Sequence, residues 1–403
     1  MEDLLFLTQR CPYPPNKGDK IATWNILKYL RKRFRIHLGA FVDDPDDWQY
    51  EGLVRESFAS VRLLALSRTR GLSRSSAGLM SGEALSVAYY RDAELQQWVD
   101  ARLRAGVRRA FVFSSAMARF LMDARQCVRM MHFADIDSDK WRQYSATSRW
   151  PLSWVYAREA RRLLQWERAV AARFEHSFFV SDAEAADFRR MAPESAARVG
   201  VLSNGVDSDY FSPERSYDNP FPDDASRVVF TGAMDYRPNA DAVIWFAREV
   251  MPILASVHGE FRFCIVGSRP SQDVLDLASD PRVQVTGRVE DVRPYMAHAR
   301  VLVAPLRIAR GIQNKVLEAM AMAKTVVCSP QALEGIEAKP GQDLLLAAEP
   351  EAFAQRCADV LQGRVELGSQ ARRCMVARYD WNARLSVLDS LFAEGVAQEK
   401  ALT

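Results

Sequence analysis

Short runs of apolar residues alternate along the chain with longer stretches in which apolar residues recur every three or four positions. This alternation predicts parallel βαβ units. In the first half it predicts strands at residues 4–8, 36–42, 109–114, 128–132 and 177–180, with helices at 23–34 and 92–105. In the second half it predicts strands at residues 227–231, 261–266, 283–286, 301–304, 325–328 and 344–347, with helices at 240–255 and 314–323.

A polar stretch at residues 207–226, broken by three prolines, interrupts this pattern and is typical of a linker. The sequence therefore predicts an N-terminal domain over 1–206, a C-terminal domain over 227–375, and a C-terminal helix within 376–403 that crosses back to the N-terminal domain. Each domain is predicted to be a doubly wound, Rossmann-like α/β sheet. Ligands bind beyond the carboxyl ends of such strands, so two domains facing a central cleft are expected.

One long predicted helix, at residues 150–174, departs from the alternation because it is rich in tryptophan and arginine. Two interpretations are open. The helix can lie on the surface with its aromatic side chains packed on its own domain, or it can rest on anionic lipid head groups, as basic amphipathic helices do. The pattern alone favours the first. The residues concerned are Trp150, Trp154, Trp166, Arg158, Arg161, Arg162, Arg168 and Arg173.

Composition identifies a soluble globular protein. The 403 residues are 48% hydrophobic and 26% charged, which excludes a disordered, collagen-like or small disulfide-stapled chain. The net charge of +3 conceals an asymmetry. Residues 1–204 carry 32 Lys and Arg against 24 Asp and Glu, whereas residues 205–403 carry 22 against 27. The first half is therefore predicted to be the one that meets an anionic surface.

Several functional classes are excluded by missing motifs. The six cysteines are scattered without a CxxC pair, so we expect reduced, buried thiols and no zinc site. The acidic start with its short apolar run is not expected to be a signal peptide, and no apolar stretch reaches the roughly 20 residues of a spanning helix. The chain lacks GxGxxG, GxxxxGK[ST] and GxSxG, and it lacks the interleaved basic and aromatic residues of a nucleic-acid surface.

The most informative junction runs from the strand that ends at Pro305 to the helix that begins near Asn314, with Gly311 in the loop. Free backbone N–H groups and the positive end of a helix dipole at a strand's carboxyl edge suit a phosphate. Lys315 adds a charge, and Glu318, one turn on, can accept hydrogen bonds from sugar hydroxyls. The alternative is a plain βα junction whose Lys and Glu are solvated, and these residues alone leave both open.

Two further junctions carry glycine after a strand. Gly232 allows close approach of a ligand, and Arg237 can reach a diphosphate. The stretch 286–292 contains Arg288. In the first half, the loop at 9–20 is stiffened by three prolines and either closes one wall of the cleft or is a rigid connection. Its charged residues, Lys17 and Lys20, flank Gly18.

The stretch after the predicted strand 128–132 alternates three aspartates, Asp135, Asp137 and Asp139. It resembles half of a calcium loop but lacks the glycine at the sixth position and the closing glutamate, so calcium is discounted. A metal-independent polar site with His132 as a hydrogen-bonding or proton-handling group fits better. The alternative is a structural histidine at a strand end.

Five segments taken in order resemble the retaining group 1 (family 4) glycosyltransferases of the GT-B fold. The resemblance extends over nearly the whole chain and is closest to the sugar transferases of exopolysaccharide loci associated with the PEP-CTERM/exosortase system. Each segment alone is common, and their order along the chain carries the resemblance. The segments are residues 12–20, 133–141, 180–184, 203–207 and 311–321.

The resemblance implies a role for each matching position. Glu318 matches the second glutamate of the family's Glu-x7-Glu motif, which holds the donor's ribose, while Lys315 and Arg237 neutralise the diphosphate. The implied catalytic residues are His132, Arg237, Lys315 and Glu318. The implied donor-binding residues are Gly18, Gly232, Arg288, Val289, Arg310, Gly311, Ile312, Gln313 and Asn314. The implied acceptor-side residues are Lys17, Lys20, Asp135, Asp137 and Lys140, and no metal ligand is implied.

One position departs from the family pattern, because Arg310 stands where the first motif glutamate is expected. No sugar preference is therefore carried over. Arg310 can instead bind an acidic sugar, a phosphate or the acceptor, or it can mark a loss of catalysis that the intact Lys315 and Glu318 argue against.

The resemblance implies a retaining, metal-independent glycosyltransferase that uses a nucleoside-diphosphate sugar of UDP or GDP type as substrate and needs no cofactor. The implied acceptor is a lipid-linked glycan in bacterial exopolysaccharide biosynthesis. The implied location is the cytoplasm, with peripheral contact to the inner face of the cell membrane through the basic N-terminal domain. The alternatives are a nucleotide-sugar 2-epimerase of the same fold and a non-catalytic partner subunit.

Overall fold

The apolar runs form parallel strands that are buried on both faces because helices cover both sides of each sheet. The computed structural model describes residues 1–15, 17–309 and 312–393, which form two units. The first comprises Met1–Ser203 together with residues 384–393, and the second comprises Asn204–Ala383.

The first unit contains a seven-stranded sheet. Its strands are β1 (Glu2–Thr8), β2 (Phe34–Val42), β3 (Ser60–Ala65), β4 (Arg109–Phe113), β5 (Val128–Ala134), β6 (His176–Phe179) and β7 (Val199–Val201). Its helices are α1 (Gly18–Leu30), α2 (Glu51–Ser57), α3 (Arg68–Ser81), α4 (Leu85–Tyr89), α5 (Ala93–Arg104), α6 (Asp137–Thr147), α7 (Leu152–Arg173) and α8 (Asp182–Met191). Short 3₁₀ helices lie at Pro45–Tyr50, Ser115–Leu121 and Pro193–Arg198. The strand order is β3-β2-β1-β4-β5-β6-β7, and every pair is parallel.

The second unit contains a six-stranded sheet. Its strands are β8 (Arg227–Thr231), β9 (Arg262–Val266), β10 (Val283–Val285), β11 (Val301–Ala304), β12 (Val326–Cys328) and β13 (Leu345–Leu346). Its helices are α9 (Arg237–Trp245), α10 (Met251–Val257), α11 (Gln272–Leu275), α12 (Arg293–Ala297), α13 (Asn314–Ala321), α14 (Pro330–Leu333), α15 (Pro350–Leu361), α16 (Gly368–Tyr379) and α17 (Trp381–Leu385). A π-helical turn at Phe246–Val250 joins α9 to α10, and a 3₁₀ helix lies at Asp276–Ser279. The order is β10-β9-β8-β11-β12-β13, again parallel throughout.

Each sheet reverses its winding direction once, between β1 and β4 in the first unit and between β8 and β11 in the second. In doubly wound sheets this switch point opens a crevice outside the carboxyl ends of the two strands, and ligands bind there. The loops after β8 and β11 are therefore the first place to look for a site in the second unit.

The segment predicted as a linker, residues 207–226, belongs to the second unit instead. Phe221 is buried in that unit's core, its ring 5.7 Å from that of Tyr295, and Phe211 and Tyr217 pack against the same core. These aromatic residues thus anchor the stretch to the core of the second unit. The predicted C-terminal segment is divided, since residues up to Ala383 belong to the second unit and those from Arg384 to the first.

Within the first unit, the end of the described chain packs on α1 and β2. The ring of Phe392 lies 5.1 Å from that of Phe34, and Tyr29 and Arg33 both donate hydrogen bonds to the Asp389 carboxylate.

Among the described residues, no helix is both long and apolar enough to cross a membrane. Five of the six cysteines are buried, and Cys374 is half-buried.

Candidate functional site

Lys315 lies in the first turn of α13, directly after the loop that follows β11. Its Nζ donates a hydrogen bond of 2.8 Å to Oδ1 of Asn239 on α9 and lies 5.2 Å from the ring centre of Phe230 on β8. The lysine therefore spans the switch point between β8 and β11, where the fold places a ligand.

Gly232, directly after β8, leaves room for this contact. A Cβ atom built on Gly232 would lie 2.7 Å from Nδ2 of Asn239 and 3.3 Å from Cε of Lys315. Any side chain at this position would displace the Asn239–Lys315 hydrogen bond. The close approach of a ligand to Gly232 stays a prediction, while in the structure the side chains of Asn239 and Lys315 are the groups that approach this glycine.

The electrostatics of α13 are dominated by two half-buried charges one turn apart. Burial lowers the pKa of Lys315 to about 8, and the negative charge of Glu318 partly opposes that shift. Burial likewise raises the pKa of Glu318 to about 7, and Lys315 opposes it. Poorly solvated groups with perturbed pKa values in a concave position are typical of functional sites. An anion beside Lys315 would restore the stabilisation that the ammonium loses by burial.

The start of α13 offers further polar groups. Gln313 occupies the N-cap position without capping the helix through its side chain, so the first backbone N–H groups lack that acceptor. Oδ1 of Asn314 is buried and has no hydrogen-bond partner among the described residues. An anion at this helix end can accept from the N–H groups, and a ligand hydroxyl can donate to Oδ1 of Asn314, so a ligand that carries both can satisfy both needs.

Backbone contacts hold the ends of β8 and β9 together. The N–H of Gly232 donates to the carbonyl of Val266 (3.0 Å), and that of Met234 donates to the carbonyl of Ser268 (2.8 Å). A Cβ atom on Gly267 would lie only 1.7 Å from the carbonyl oxygen of Gly232. Gly267 is therefore required for the loop after β8 to lie where it does.

Sequence reasoning missed Asn239 and Gly267. Gly267 follows β9 as Gly232 follows β8, so the paired pattern was a usable signal. For Asn239 the sequence holds no such signal, because the role of this residue depends on a contact to Lys315 across 76 positions of sequence.

An ion pair between Arg307 and Asp241 (3.0 Å) also links the loop after β11 to α9.

The other residues predicted to bind the donor are dispersed along the same sheet. Arg237 is exposed at the start of α9. Arg288 is exposed and Val289 half-buried after β10, which lies two strands from β8. Ile312 packs against the core of the second unit. Arg310 and Gly311 lie outside the described residues.

Comparison with known proteins adds to this geometry. Residues 225–363, which contain the whole Gly232–Asn239–Lys315 arrangement, match the model of a family described as "Glycosyl transferases group 1". The second unit is similar to the group 1 glycosyltransferases. No curated protein matches the chain in sequence.

Solved structures match over nearly the whole chain. A glycosyltransferase from Rickettsia africae ESF-5 is 12% identical with a TM-score of 0.64, and the match covers 98% of each chain. Alr3699/HepE from Anabaena in complex with UDP is 18% identical with a TM-score of 0.64, over 98% of this chain and 100% of that one. A sucrose-phosphate synthase from Thermosynechococcus elongatus is 17% identical with a TM-score of 0.64, over 99% and 100%. These likenesses confirm the predicted GT-B fold, with two parallel-sheet α/β domains.

In the first unit, the residues that the glycosyltransferase resemblance assigned to the acceptor side differ in accessibility. Lys17, Asp135 and Lys140 are exposed. Asp137 is half-buried at the start of α6, and burial raises its pKa to about 6. Gly18 is exposed as the first residue of α1, and a Cβ atom there would meet nothing within 4 Å.

The prediction that Lys20 faces an acceptor requires correction. Lys20 is 1% exposed, and its ammonium forms a buried ion pair with Asp47. Removing one partner of such a pair would leave an uncompensated buried charge, so Lys20 holds α1 to the turn that contains Asp47. The lysine is structural because its partner, 27 residues away, is brought beside it by the fold.

The predicted proton-handling role of His132 also requires correction. His132 is 1% exposed on β5, and both ring nitrogens are bound to the backbone. Nε2 donates to the carbonyl of Leu202 (3.0 Å), and Nδ1 accepts from the N–H of Ala134 (3.0 Å). Burial lowers its pKa to about 4, so the ring is neutral at physiological pH. His132 holds Ala134 in a left-handed conformation (φ 68°), where the pairing of β5 with β6 shifts register.

Replacing His132 with leucine is expected to destabilise the protein by about 2 kcal/mol or more, because two backbone groups lose their partner. The effect should depend on pH. In the wild type the unfolded imidazole binds a proton below its ordinary pKa of 6.5, but the folded one does so only near 4. This contribution to stability is therefore lost as the pH falls between those values, by about 1.4 kcal/mol per unit. The free energies of unfolding of the wild type and His132→Leu, measured in urea, should differ at neutral pH and converge at acid pH. A difference that does not change with pH would contradict this assignment.

Proposed function

We propose that this chain is a retaining glycosyltransferase that takes a nucleoside-diphosphate sugar of UDP or GDP type as donor. The observation that carries the proposal is the position of Lys315. It lies in the first turn of α13, bound to Asn239 and facing Gly232, at the switch point of a sheet that matches the group 1 family. A cation beside a helix start that has no side-chain cap fits a diphosphate.

The proposed chemistry needs positioning and charge stabilisation rather than a nucleophilic side chain. The bond between the sugar's anomeric carbon and the diphosphate oxygen breaks, and an acceptor hydroxyl bonds to that carbon from the same face. The hydroxyl proton passes to the departing phosphate oxygen, so the anomeric configuration is kept. Lys315 and the start of α13 stabilise the negative charge that develops, and Glu318 accepts hydrogen bonds from ribose hydroxyls.

Solved neighbours guide the choice of donor. Alr3699/HepE has been crystallised with UDP, with UDP and glucose, and with UDP-glucose. We therefore propose UDP-glucose as the first donor to test, with GDP sugars next. No metal ion is required in the proposed reaction, since Lys315 and the helix end supply the positive charge.

We further propose that the acceptor is a sugar on a lipid carrier and that the reaction belongs to bacterial exopolysaccharide assembly at the cytoplasmic face of the membrane. Support comes from the ordered segments that resemble transferases of such loci and from the basic first half of the chain. Arg310, in place of the first motif glutamate, leaves the transferred sugar open.

A transfer assay tests the proposal. The purified protein is incubated with UDP-glucose labelled in the sugar, together with a lipid extract from exopolysaccharide-producing cells. We expect label in the lipid fraction, with the donor's anomeric configuration in the product. Conversion of the UDP sugar to its 2-epimer without acceptor would support an epimerase instead. Failure with a full panel of UDP and GDP sugars, despite nucleotide binding, would support a partner subunit.

Donor binding is expected to weaken as the pH rises through about 8. The pKa of Lys315 is lowered to about 8, so the ammonium is charged below that pH and neutral above it. A neutral amine does not attract a diphosphate. Titration of UDP across this range should show falling affinity in the wild type. The Lys315→Met variant should bind weakly and without that alkaline fall, and a wild-type affinity that stays flat would contradict the assignment.

A further inference from the structure

The turn between α6 and α7 exposes an unusual amount of apolar surface. Trp150 is 82% exposed, Leu152 and Trp154 are each 54% exposed, and Tyr144 is 45% exposed. All four lie within eleven residues of one helical hairpin, which we call the α6–α7 tip (residues 144–154). Exposed large apolar side chains grouped in this way mark an interaction site rather than ordinary surface.

The tip is not explained by packing on its own unit. Trp166, about three turns beyond Trp154 on α7, does pack inward, and its Nε1 donates a hydrogen bond of 2.9 Å to the carbonyl of Ser115. Leu163 and Val170 are fully buried. The inner part of α7 thus packs on its own unit, which is the interpretation that the sequence pattern favours, whereas Trp150 and Trp154 are exposed.

The charges around the tip are almost all positive. Residues 141–162 contain five arginines and a single acidic residue, Glu159. Glu159 is 1% exposed, and its carboxylate accepts hydrogen bonds from the backbone N–H groups of Leu85 and Ser86 at the start of α4. That acid faces inward, so residues 152–162 of α7 present no outward carboxylate. On α6, Arg142 is paired with the partly exposed Asp139. The exposed arginines are Arg142, Arg149, Arg161 and Arg162.

A neighbouring helix adds to the same surface. Arg158 donates hydrogen bonds to the carbonyls of Gly78 and Leu79 near the end of α3, which brings α3 beside α7. Leu79, whose carbonyl accepts from Arg158, is 41% exposed. The apolar surface is therefore wider than one helix.

We propose that the α6–α7 tip docks the protein on an anionic phospholipid bilayer. Indole rings favour the head-group level of a membrane, where an apolar body and a polar N–H are both accommodated. Arginines near an anionic surface add electrostatic attraction, which salt weakens. The two exposed tryptophans, with the exposed Arg149, Arg161 and Arg162 near them in sequence, fit that environment, which requires no complementary protein surface. The proposal rests on the membrane location given in the proposed function and assigns that contact to one surface of the first unit; it does not depend on donor binding.

Vesicle flotation tests the docking surface. The probes are vesicles of phosphatidylcholine alone and vesicles that also contain phosphatidylglycerol. We expect the full-length protein to bind the anionic vesicles and to be released by high salt. The Trp150→Ala/Trp154→Ala variant should bind at least tenfold more weakly, and Arg149→Gln/Arg161→Gln should lose the preference for anionic lipid. Leu275→Ala removes an apolar side chain that is 43% exposed on the second unit and should have no effect.

Several results would overturn the proposal. No binding to anionic vesicles, or equal binding by the tryptophan variant, would do so. A concentration-dependent dimer that the tryptophan variant abolishes, without vesicle binding, would assign the tip to a second copy of the chain. Because the replaced side chains are exposed, the variants should keep the wild-type melting temperature. UDP affinity should also be unchanged, which separates a failure of this proposal from a failure of the donor site.

Discussion

Replacing Lys315 with methionine is expected to lower the rate of sugar transfer by about 100- to 1,000-fold, the usual cost of removing one group that stabilises developing negative charge. Methionine keeps an unbranched side chain of similar length but cannot hydrogen-bond Asn239 or attract a diphosphate. The rate of UDP release from a UDP sugar in the presence of acceptor measures the effect. Folding should not suffer, because burial already disfavours the ammonium, as its lowered pKa shows.

The matched control is Lys339→Met, which removes an exposed lysine from the same unit. It should leave the transfer rate within about twofold of wild type, since exposed charges outside a site contribute little. A Lys315→Met protein that melts at the wild-type temperature and still transfers sugar at the wild-type rate would exclude α13 as the diphosphate site.

Replacing Gly267 with alanine is expected to destabilise the second unit by about 3 kcal/mol and to abolish transfer. The added Cβ would lie 1.7 Å from the carbonyl oxygen of Gly232, a contact that only a backbone shift can relieve. Overpacking in a well-filled core usually costs about 1–3 kcal/mol, and here the obstacle is backbone rather than a flexible side chain. If the backbone of Gly232 shifts to accommodate the methyl group, its contact with Asn239 and Lys315 changes as well.

Thermal or urea unfolding measures the stability change, and UDP titration measures the effect on the site. Gly259→Ala is the control, because a Cβ atom at Gly259 would meet nothing within 4 Å. It should be neutral or slightly stabilising. If the two variants were equally stable, the close contact between the ends of β8 and β9 would be refuted.

Much of the fold could be predicted from the sequence because its central strands are buried on both faces. β8 and β11 coincide with the predicted strands, since all of their residues are buried. The sequence missed β3 and β7, which lie at the two edges of the first sheet. β3 includes the half-buried Arg62, and β7 has only three residues with a central glycine, so neither forms a continuous apolar run.

The site could be predicted only where local sequence determines the chemistry. The start of α13 with Lys315, and Gly232 after β8, depend on the order strand, loop, helix, which the sequence displays. The roles of other predicted site residues depend on partners that are distant in the sequence. Lys20 lies beside Asp47, and His132 is bound to Leu202, 70 positions away, so both are structural residues where a site role was predicted. No local sequence pattern distinguishes such buried structural residues from solvent-accessible site residues.

Calorimetric titration of UDP into the purified protein tests the central claim most directly, namely that the second unit binds a nucleoside diphosphate at the start of α13. The account predicts saturable binding at neutral pH, at least tenfold weaker binding by Lys315→Met, and unchanged binding by Lys339→Met. GDP is titrated in parallel, because the donor nucleotide can be of either type. Absence of binding by both nucleotides, or equal affinity of wild type and Lys315→Met, would contradict it.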